Sequence, residues 1–435
     1  MIKLVNIFFP LWDFLYILQL EEYEIKRYLK QVQLRLFKRG FQQRDRLRYT
    51  GRIKLTIILL IAVLASLILE LMQMQLYVYA IAVIATLPFT TPYLIAVTSA
   101  VVGAVASLQK QRQLTKAKKY FENNYPNTKV IAITGSFGKT TAKYMLEHVL
   151  QYDYRVAIVP DNINTAIGVA HHILADKVPT NTDLLIVEMG AYTRGDISQT
   201  ATVVKPDLAV LTILGDQHLE RFGSHDDLVH GKSEIFTTNG KTKCYVTPDS
   251  ISKIKEQQIN TTQLVSVEVP SGSKSTQYLV RQLALDLGVS NESVDASIES
   301  FIPPDRRNNI IERQGVTIVD NSYNISPMVA EAMITEAAET AKKQNKRLVV
   351  MTGGIGEQGV FTEKVNRELG QLLNTYATRA IVNSTVYTKY IEQELTIPFT
   401  VAPYRTEVTD NPKEHLDGKT ELLLWLTGHG DLAYV

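Results

Sequence analysis

Cysteine is nearly missing from this chain: one residue, Cys244, in 435. That excludes an intrachain disulfide and a cysteine-built metal site, and it is the usage of a reducing compartment. An excess of charge of either sign is also missing, with 46 Lys and Arg against 44 Asp and Glu. Such a balance argues against a nucleic-acid partner. There is no internal repeat and no low-complexity tract, and the long apolar runs begin too far from Met1 to be a cleavable signal peptide. What 435 residues do allow is two or three domains, each with its own core.

Those apolar runs lie near the front of the chain. Leu55 to Met72 is apolar until Glu70, and Leu76 to Leu108 is broken only by Pro88 and Pro92. A helix needs about 20 apolar residues to cross a bilayer, so at least two spans are expected, with the prolines marking a kink or a further turn. Basic residues flank both ends: Lys38, Arg39, Arg44, Arg46, Arg48 and Arg52 before, then Lys110, Arg112, Lys116, Lys118 and Lys119 after. The positive-inside rule keeps both flanks cytoplasmic and favours an even number of crossings. Leu4 to Tyr23, apolar and aromatic, reads as interfacial rather than spanning, continuing to Arg52 as a basic helix along an anionic leaflet.

After Lys119 the pattern changes to short β-branched runs alternating with amphipathic helices, which predicts a parallel sheet covered on both faces. Strands are expected at Val130 to Thr134, Arg155 to Val159, Leu184 to Glu188, Leu208 to Ile213 and Lys243 to Thr247, with helices beginning near Lys139, Ile163, Asp196 and His225. The Pro303-Pro304 pair marks a domain boundary. Beyond it, strands are expected at Val316 to Val319, Arg347 to Met351, Arg379 to Val382 and Glu421 to Leu426. The fold class is therefore α/β: a P-loop central domain with a mainly parallel sheet and a C-terminal Rossmann-like α/β domain, preceded by a transmembrane helical region. The expected divisions are 1–52 (interfacial and basic), 53–108 (transmembrane), 109–302 (central, ATP-binding) and 303–435 (C-terminal).

The densest chemistry lies where the strand Val130 to Thr134 runs into Gly135-Ser-Phe-Gly-Lys-Thr-Thr141 and then a helix. Gly135 and Gly138 let backbone N–H groups turn inward, Lys139 supplies a cation for phosphates, and Thr140 offers a hydroxyl to Mg²⁺. A standard Walker A loop would have glycine at the position of Ile133, so this is the shorter form. Glu188 ends an apolar strand at the carboxyl edge of the sheet, where such sheets carry their ligands. Asp216 and His218 follow another strand in the same way. Together with the loop they suggest a Mg²⁺ site.

Six segments occur in the order found in the Mur ligases: Thr134-Gly-Ser-Phe-Gly-Lys-Thr-Thr141, Asn162-Ile-Asn-Thr-Ala-Ile-Gly168, Glu188-Met-Gly-Ala191, His218-Leu-Glu-Arg-Phe-Gly-Ser224, Gly231-Lys-Ser-Glu-Ile-Phe236 and Asp320-Asn-Ser-Tyr-Asn324. Over roughly residues 118 to 375 the chain resembles the type that adds D-alanyl-D-alanine to a muramoyl tripeptide. The resemblance implies an ATP- and Mg²⁺-dependent amide ligase of cell-wall (peptidoglycan) synthesis that works through an acyl phosphate. It implies that Gly135, Ser136, Phe137, Gly138, Lys139, Thr140, Thr141, Asn164, Arg306 and Asp320 meet the nucleotide. It further implies catalytic roles for Lys139, Glu188, His218 and Lys232, with Thr140, Glu188, His218 and a carbamylated Lys232 holding metal. Its partners are then ATP, a cell-wall peptide or lipid-linked precursor, an amino acid or dipeptide amine, and membrane lipids; the place is the inner face of the plasma membrane, catalytic domains cytoplasmic.

The sequence departs from that pattern at several points. Asn321 stands where the family has a second aspartate, Ser326 replaces an asparagine, and Thr276 and Gln277 replace the Asn-Ala start of the helix that meets adenine. A membrane anchor occupies the place of the UDP-binding domain. Gly353-Gly-Ile-Gly-Glu-Gln-Gly359, with Asn366 and Gly370, fits the membrane-anchored relatives. The alternative is a membrane-bound ATP-binding or scaffold protein that has lost ligation.

Overall fold

The computed structural model describes residues 11–21, 23–35, 47–160, 163–215, 219–270, 275–303, 309–322, 325–356, 358, 361–383, 387–402, 408 and 410–426. Contacts divide the chain into two units, Met1–Arg112 and Gln113–Val435.

In the first unit a short helix, α1 (Leu11–Leu20), is followed by α2 (Ile25–Arg35), α3 (Gly51–Gln73) and α4 (Tyr77–Asn124), whose last turns belong to the second unit. α1 buries Leu11, Phe14, Leu15 and Leu18, a spacing of three and four that makes one helical face, against Ile53, Leu60 and Ile95. α3 and α4 turn many of their apolar side chains outward, among them Leu55, Ile58, Ile61, Val78, Ile81 and Phe89. Both are long and apolar enough to cross a membrane. Of the expected kink or further turn, the turn is not made: α4 continues as one helix through Pro88 and Pro92. A proline removes an N–H and crowds the preceding turn. Near the prolines Thr91 donates to Leu87 O at 2.7 Å, and Tyr28 of α2 donates to Pro92 O at 2.9 Å.

In the second unit, β1 (Lys129–Thr134), β2 (Val156–Ile158), β3 (Leu184–Glu188), β4 (Leu208–Leu211), β5 (Lys243–Val246) and β6 (Leu264–Ser266) form an all-parallel sheet in the order β2-β3-β1-β4-β5-β6. Alternation along β1 sends Val130 and Ala132 into one core and Ile131 and Ile133 into the other, which is why the strand reads as a continuous apolar run. Helices α5 (Lys139–Leu150), α6 (Ala166–Leu174), α7 (Asp196–Val204), α8 (Leu219–Phe222), α9 (His225–Thr237), α10 (Pro248–Glu256), α11 (Ser275–Asp286) and α12 (Asn291–Ser300) connect and cover these strands. α6 begins three residues later than expected because the Thr165 hydroxyl caps it, accepting from Gly168 N.

The C-terminal sheet runs β11-β10-β9-β12-β8-β7. Its strands are β7 (Asn309–Arg313), β8 (Val316–Asn321), β9 (Arg347–Thr352), β10 (Arg379–Asn383), β11 (Phe399–Ala402) and β12 (Glu421–Leu426). All pair in parallel except β7, which joins β8 as an antiparallel edge. α13 (Pro327–Lys343) and α14 (Thr362–Tyr376) close one face. Asn366 of α14 is fully buried and clamps the turn after β9, accepting from Ile355 N at 2.8 Å and donating to Ile355 O at 2.9 Å. Gly354 in that turn has φ of 91°, and a Cβ there would stand 2.7 Å from Asn366 Oδ1.

Candidate active site

Register sets the site. Ile133 of β1 lies opposite Glu188 of β3, and Thr134 lies opposite Leu211 of β4, so three neighbouring strands end together. The chain leaving β1 must turn sharply, and its two glycines are obligatory. Gly135 has φ of 141° and a Cβ on it would stand 2.0 Å from Thr212 Oγ1; Gly138 has φ of 77° and a Cβ would stand 2.7 Å from Thr276 Oγ1. Ser136 locks the loop to the extension of β4, donating to Gly215 O at 2.6 Å and accepting from Gly215 N at 3.0 Å. Thr212 donates its hydroxyl to Phe137 O. Gly138 then caps α5, whose first-turn residues Lys139, Thr140 and Thr141 are half-buried. Amides at the start of a 12-residue helix make an anion cradle.

Around this cradle the charges are packed closely. Glu188 is 4% exposed; Thr140 donates to its Oε2 at 2.8 Å, and Asn164 Nδ2 lies 3.5 Å from its Oε1. Lys139 Nζ donates to Gly135 O at 2.8 Å and to Ser136 O at 3.3 Å. Lys232, on α9 and fully buried, reaches the same Gly135 O at 3.1 Å. Burial, and secondarily the nearby Lys139 ammonium, pushes the Lys232 pKa well below the ordinary lysine value, against the opposing pull of Glu188 and Asp196. Its Nζ also stands 5.8 Å from the centre of the Phe222 ring. Glu234, two residues along on α9, accepts from Gly195 N at 2.6 Å and Ser198 N at 2.9 Å, tying the start of α7 to the helix that carries Lys232.

One functional candidate escaped the sequence reading. Lys143, fully buried, donates to Val159 O at 3.1 Å and lies 3.9 Å from Glu188 Oε2, so a buried cation faces that carboxylate. Its one available signal was position: it follows Lys139 by one helical turn, on the same face of α5.

The structure thus gathers the loop residues, Asn164, Glu188 and Lys232. Asp320, 7% exposed at the end of β8, accepts from Ser322 N at 2.9 Å. Asn321 beside it buries an Nδ2 that has no hydrogen-bond partner among the described residues. His218, Asp216 and Arg306 lie outside the described residues. Between Phe137 and Gly215 on one side and Pro327, Met328 and Leu369 on the other is a cleft of about 480 Å³. Among the described residues no cluster of three or more His, Cys, Asp or Glu could hold a metal by itself.

Residues 133–310 match the Mur ligase middle domain. The chain thus carries a Mur ligase middle domain and is similar to MurF ligases. It is 27% identical over 285 residues to the UDP-N-acetylmuramoyl-tripeptide--D-alanyl-D-alanine ligase of Bacillus subtilis (strain 168), a match covering 57% of this chain and 60% of that protein. It is 34% identical over 109 residues to the Escherichia coli (strain K12) enzyme of the same name, a match covering 25% of this chain and 24% of that one. Among solved structures, MurF ligase from Thermotoga maritima in complex with ADP superposes with a TM-score of 0.62 at 21% identity, covering 74% of this chain and 81% of that one. MurF from Acinetobacter baumannii gives 0.61 at 22% identity, covering 74% and 79%. The parallel sheet and the second sheet domain are the MurF fold.

Proposed function

We propose that this MurF-like chain is a membrane-anchored, ATP-dependent amide ligase acting on a cell-wall peptide precursor. The observation that carries the reading is the convergence of the glycine loop, Lys139, Thr140, Glu188 and the buried Lys232 on one sheet edge. The loop amides and the start of α5 receive the phosphates of ATP, and Lys139 exchanges its contact with Gly135 O for them. A carboxylate oxygen of the acceptor peptide attacks the γ-phosphorus and ADP leaves. The amine nitrogen then attacks the acyl carbon, phosphate departs, and the amine loses a proton as the amide forms.

Thr140 and Glu188 are oxygen donors of the kind Mg²⁺ takes, and Mg²⁺ commonly needs only one or two protein ligands beside substrate phosphates, so the residues present fit the ion. When bound, it offsets charge on the phosphoryl oxygens. The depressed pKa of Lys232 favours its neutral amine, the form that adds CO₂ with loss of a proton. The carbamate so formed is an anion where an ammonium had been. The two apolar helices hold the ligase at the inner face of the plasma membrane, where tethering raises its concentration near a lipid-linked acceptor. A scaffold reading draws support from Asn321, whose buried amide replaces an expected carboxylate.

The test is phosphate release by the full-length protein in detergent with ATP and Mg²⁺, comparing a muramoyl tripeptide plus D-alanyl-D-alanine with each alone, and mass detection of products. Release coupled to a new amide only when both are present supports the ligase. ATP binding without amide from any peptide carboxylate and amine offered overturns it in favour of the scaffold.

A further inference from the structure

The base of the apolar hairpin carries an arginine that no acid pairs with among the described residues. Arg52 sits in the first turn of α3, and its guanidinium carbon stands 4.2 Å from the centre of the Tyr23 ring. Its Nη2 lies 2.7 Å from the point where a Cβ on Gly103 of α4 would be, so the guanidinium rests in the space left by that glycine. Its Nε is buried and has no hydrogen-bond partner among the described residues, where no ion pair reaches it either. Ser99, one helical turn before Gly103 on the same face of α4, is fully buried, and its hydroxyl has no partner among them.

The notch is held in shape. Tyr23 has a left-handed backbone, φ of 64°, and its hydroxyl is hydrogen-bonded to Thr50 Oγ1 at 2.7 Å. Gln19 closes a two-bond clasp on the backbone of Arg48, donating to its carbonyl and accepting from its N–H, each at 2.8 Å. Stacking on one aromatic face offsets only part of the cost of withdrawing a guanidinium from water. The planar fork matches phosphate oxygens, and the start of α3 adds its positive dipole end. Apolar residues nearby in sequence are exposed, among them Leu55 on α3.

We propose that Arg52, in the Gly103 notch beside Ser99, binds the phosphate of an anionic membrane lipid. This rests on the reading of the first unit as a membrane anchor. It adds a specific headgroup site to an otherwise general attraction between basic residues and an acidic leaflet.

The experiment uses the full-length chain, delipidated in detergent and titrated with phosphatidylglycerol, phosphatidylcholine or inorganic phosphate, with bound lipid counted by native mass spectrometry. Flotation with phosphatidylcholine vesicles is measured alongside. The expected result is a preference for phosphatidylglycerol that falls about tenfold in Arg52→Gln and in Gly103→Leu, which fills the notch, and less in Arg52→Lys. Lys54→Gln, two residues along and exposed, keeps the preference. Equal losses in Arg52→Gln and Lys54→Gln, or no preference at all, overturn the site. Displacement of the lipid by millimolar inorganic phosphate overturns its assignment to a lipid. A protein that fails to float with neutral vesicles overturns the anchor reading itself; one that floats but shows no Arg52-dependent preference overturns only this proposal.

Discussion

The carboxyl edges of the two sheets are built from similar strands and treated differently. In the middle domain Thr134 donates to Met189 O at 2.9 Å, Ser136 is bonded to Gly215 in both directions, and Thr140 is bonded to Glu188. In the C-terminal domain Asn366 clamps the end of β9, yet at the ends of β8 and β10 Asn321 Nδ2, Ser322 Oγ and both amide atoms of Asn383 are buried without a partner among the described residues. An unpaired buried polar group costs about 1–3 kcal/mol. The first edge is therefore organised by the fold's own bonds, and the second, among the described residues, leaves more of its polar groups unpaired.

The comparison breaks most visibly at the loop. Lys139→Ala removes the cation that rests on Gly135 O, and ATP turnover is expected to fall about a thousandfold with the melting temperature little changed. Phosphate release under saturating ATP measures it, and unchanged turnover contradicts the assignment. Lys232→Ala should lose about a hundredfold, partly restored by added short-chain carboxylates if a carbamate acts there.

Lys232 also gives a pH signature. Its folded pKa lies below the unfolded value, so between the two the folded protein holds one proton fewer and raising the pH stabilises it. Below the folded value the full penalty is present, and above the ordinary lysine value it has gone. Denaturant melts from neutral toward pH 10 should show wild-type gaining on Lys232→Met; parallel curves would remove the burial argument.

Next in size is Lys143→Met, which leaves Glu188 facing one fixed cation fewer. A loss of about 2 kcal/mol is expected in chemical denaturation, at the low side for a buried pair because the separation is 3.9 Å. The smallest effect sharpens the contrast best. Thr134→Val gives up a made hydrogen bond and should cost about 1 kcal/mol, whereas Asn383→Leu gives up unpaired atoms and should be neutral or slightly stabilising. Equal costs would erase the distinction between the edges.

How much of this was legible follows from what is local. The loop could be read because strand, glycines, lysine and helix are consecutive, and Glu188 because it closes an apolar run. Lys143 could not, since a lysine one turn along a helix looks solvated until the packing of β2 and β3 buries it. The strands β6, β7 and β11, three to five residues long, lie at or next to sheet edges and were not expected; pairing with a neighbour, not pattern, makes them strands.

The central claim is an acyl phosphate, and oxygen transfer tests it most directly. A muramoyl tripeptide carrying ¹⁸O in its terminal carboxylate, incubated with ATP, Mg²⁺ and D-alanyl-D-alanine, should give one ¹⁸O in each phosphate released, with the other retained in the new amide. Amide formed with unlabelled phosphate, or phosphate released with no label and no amide, would contradict the account.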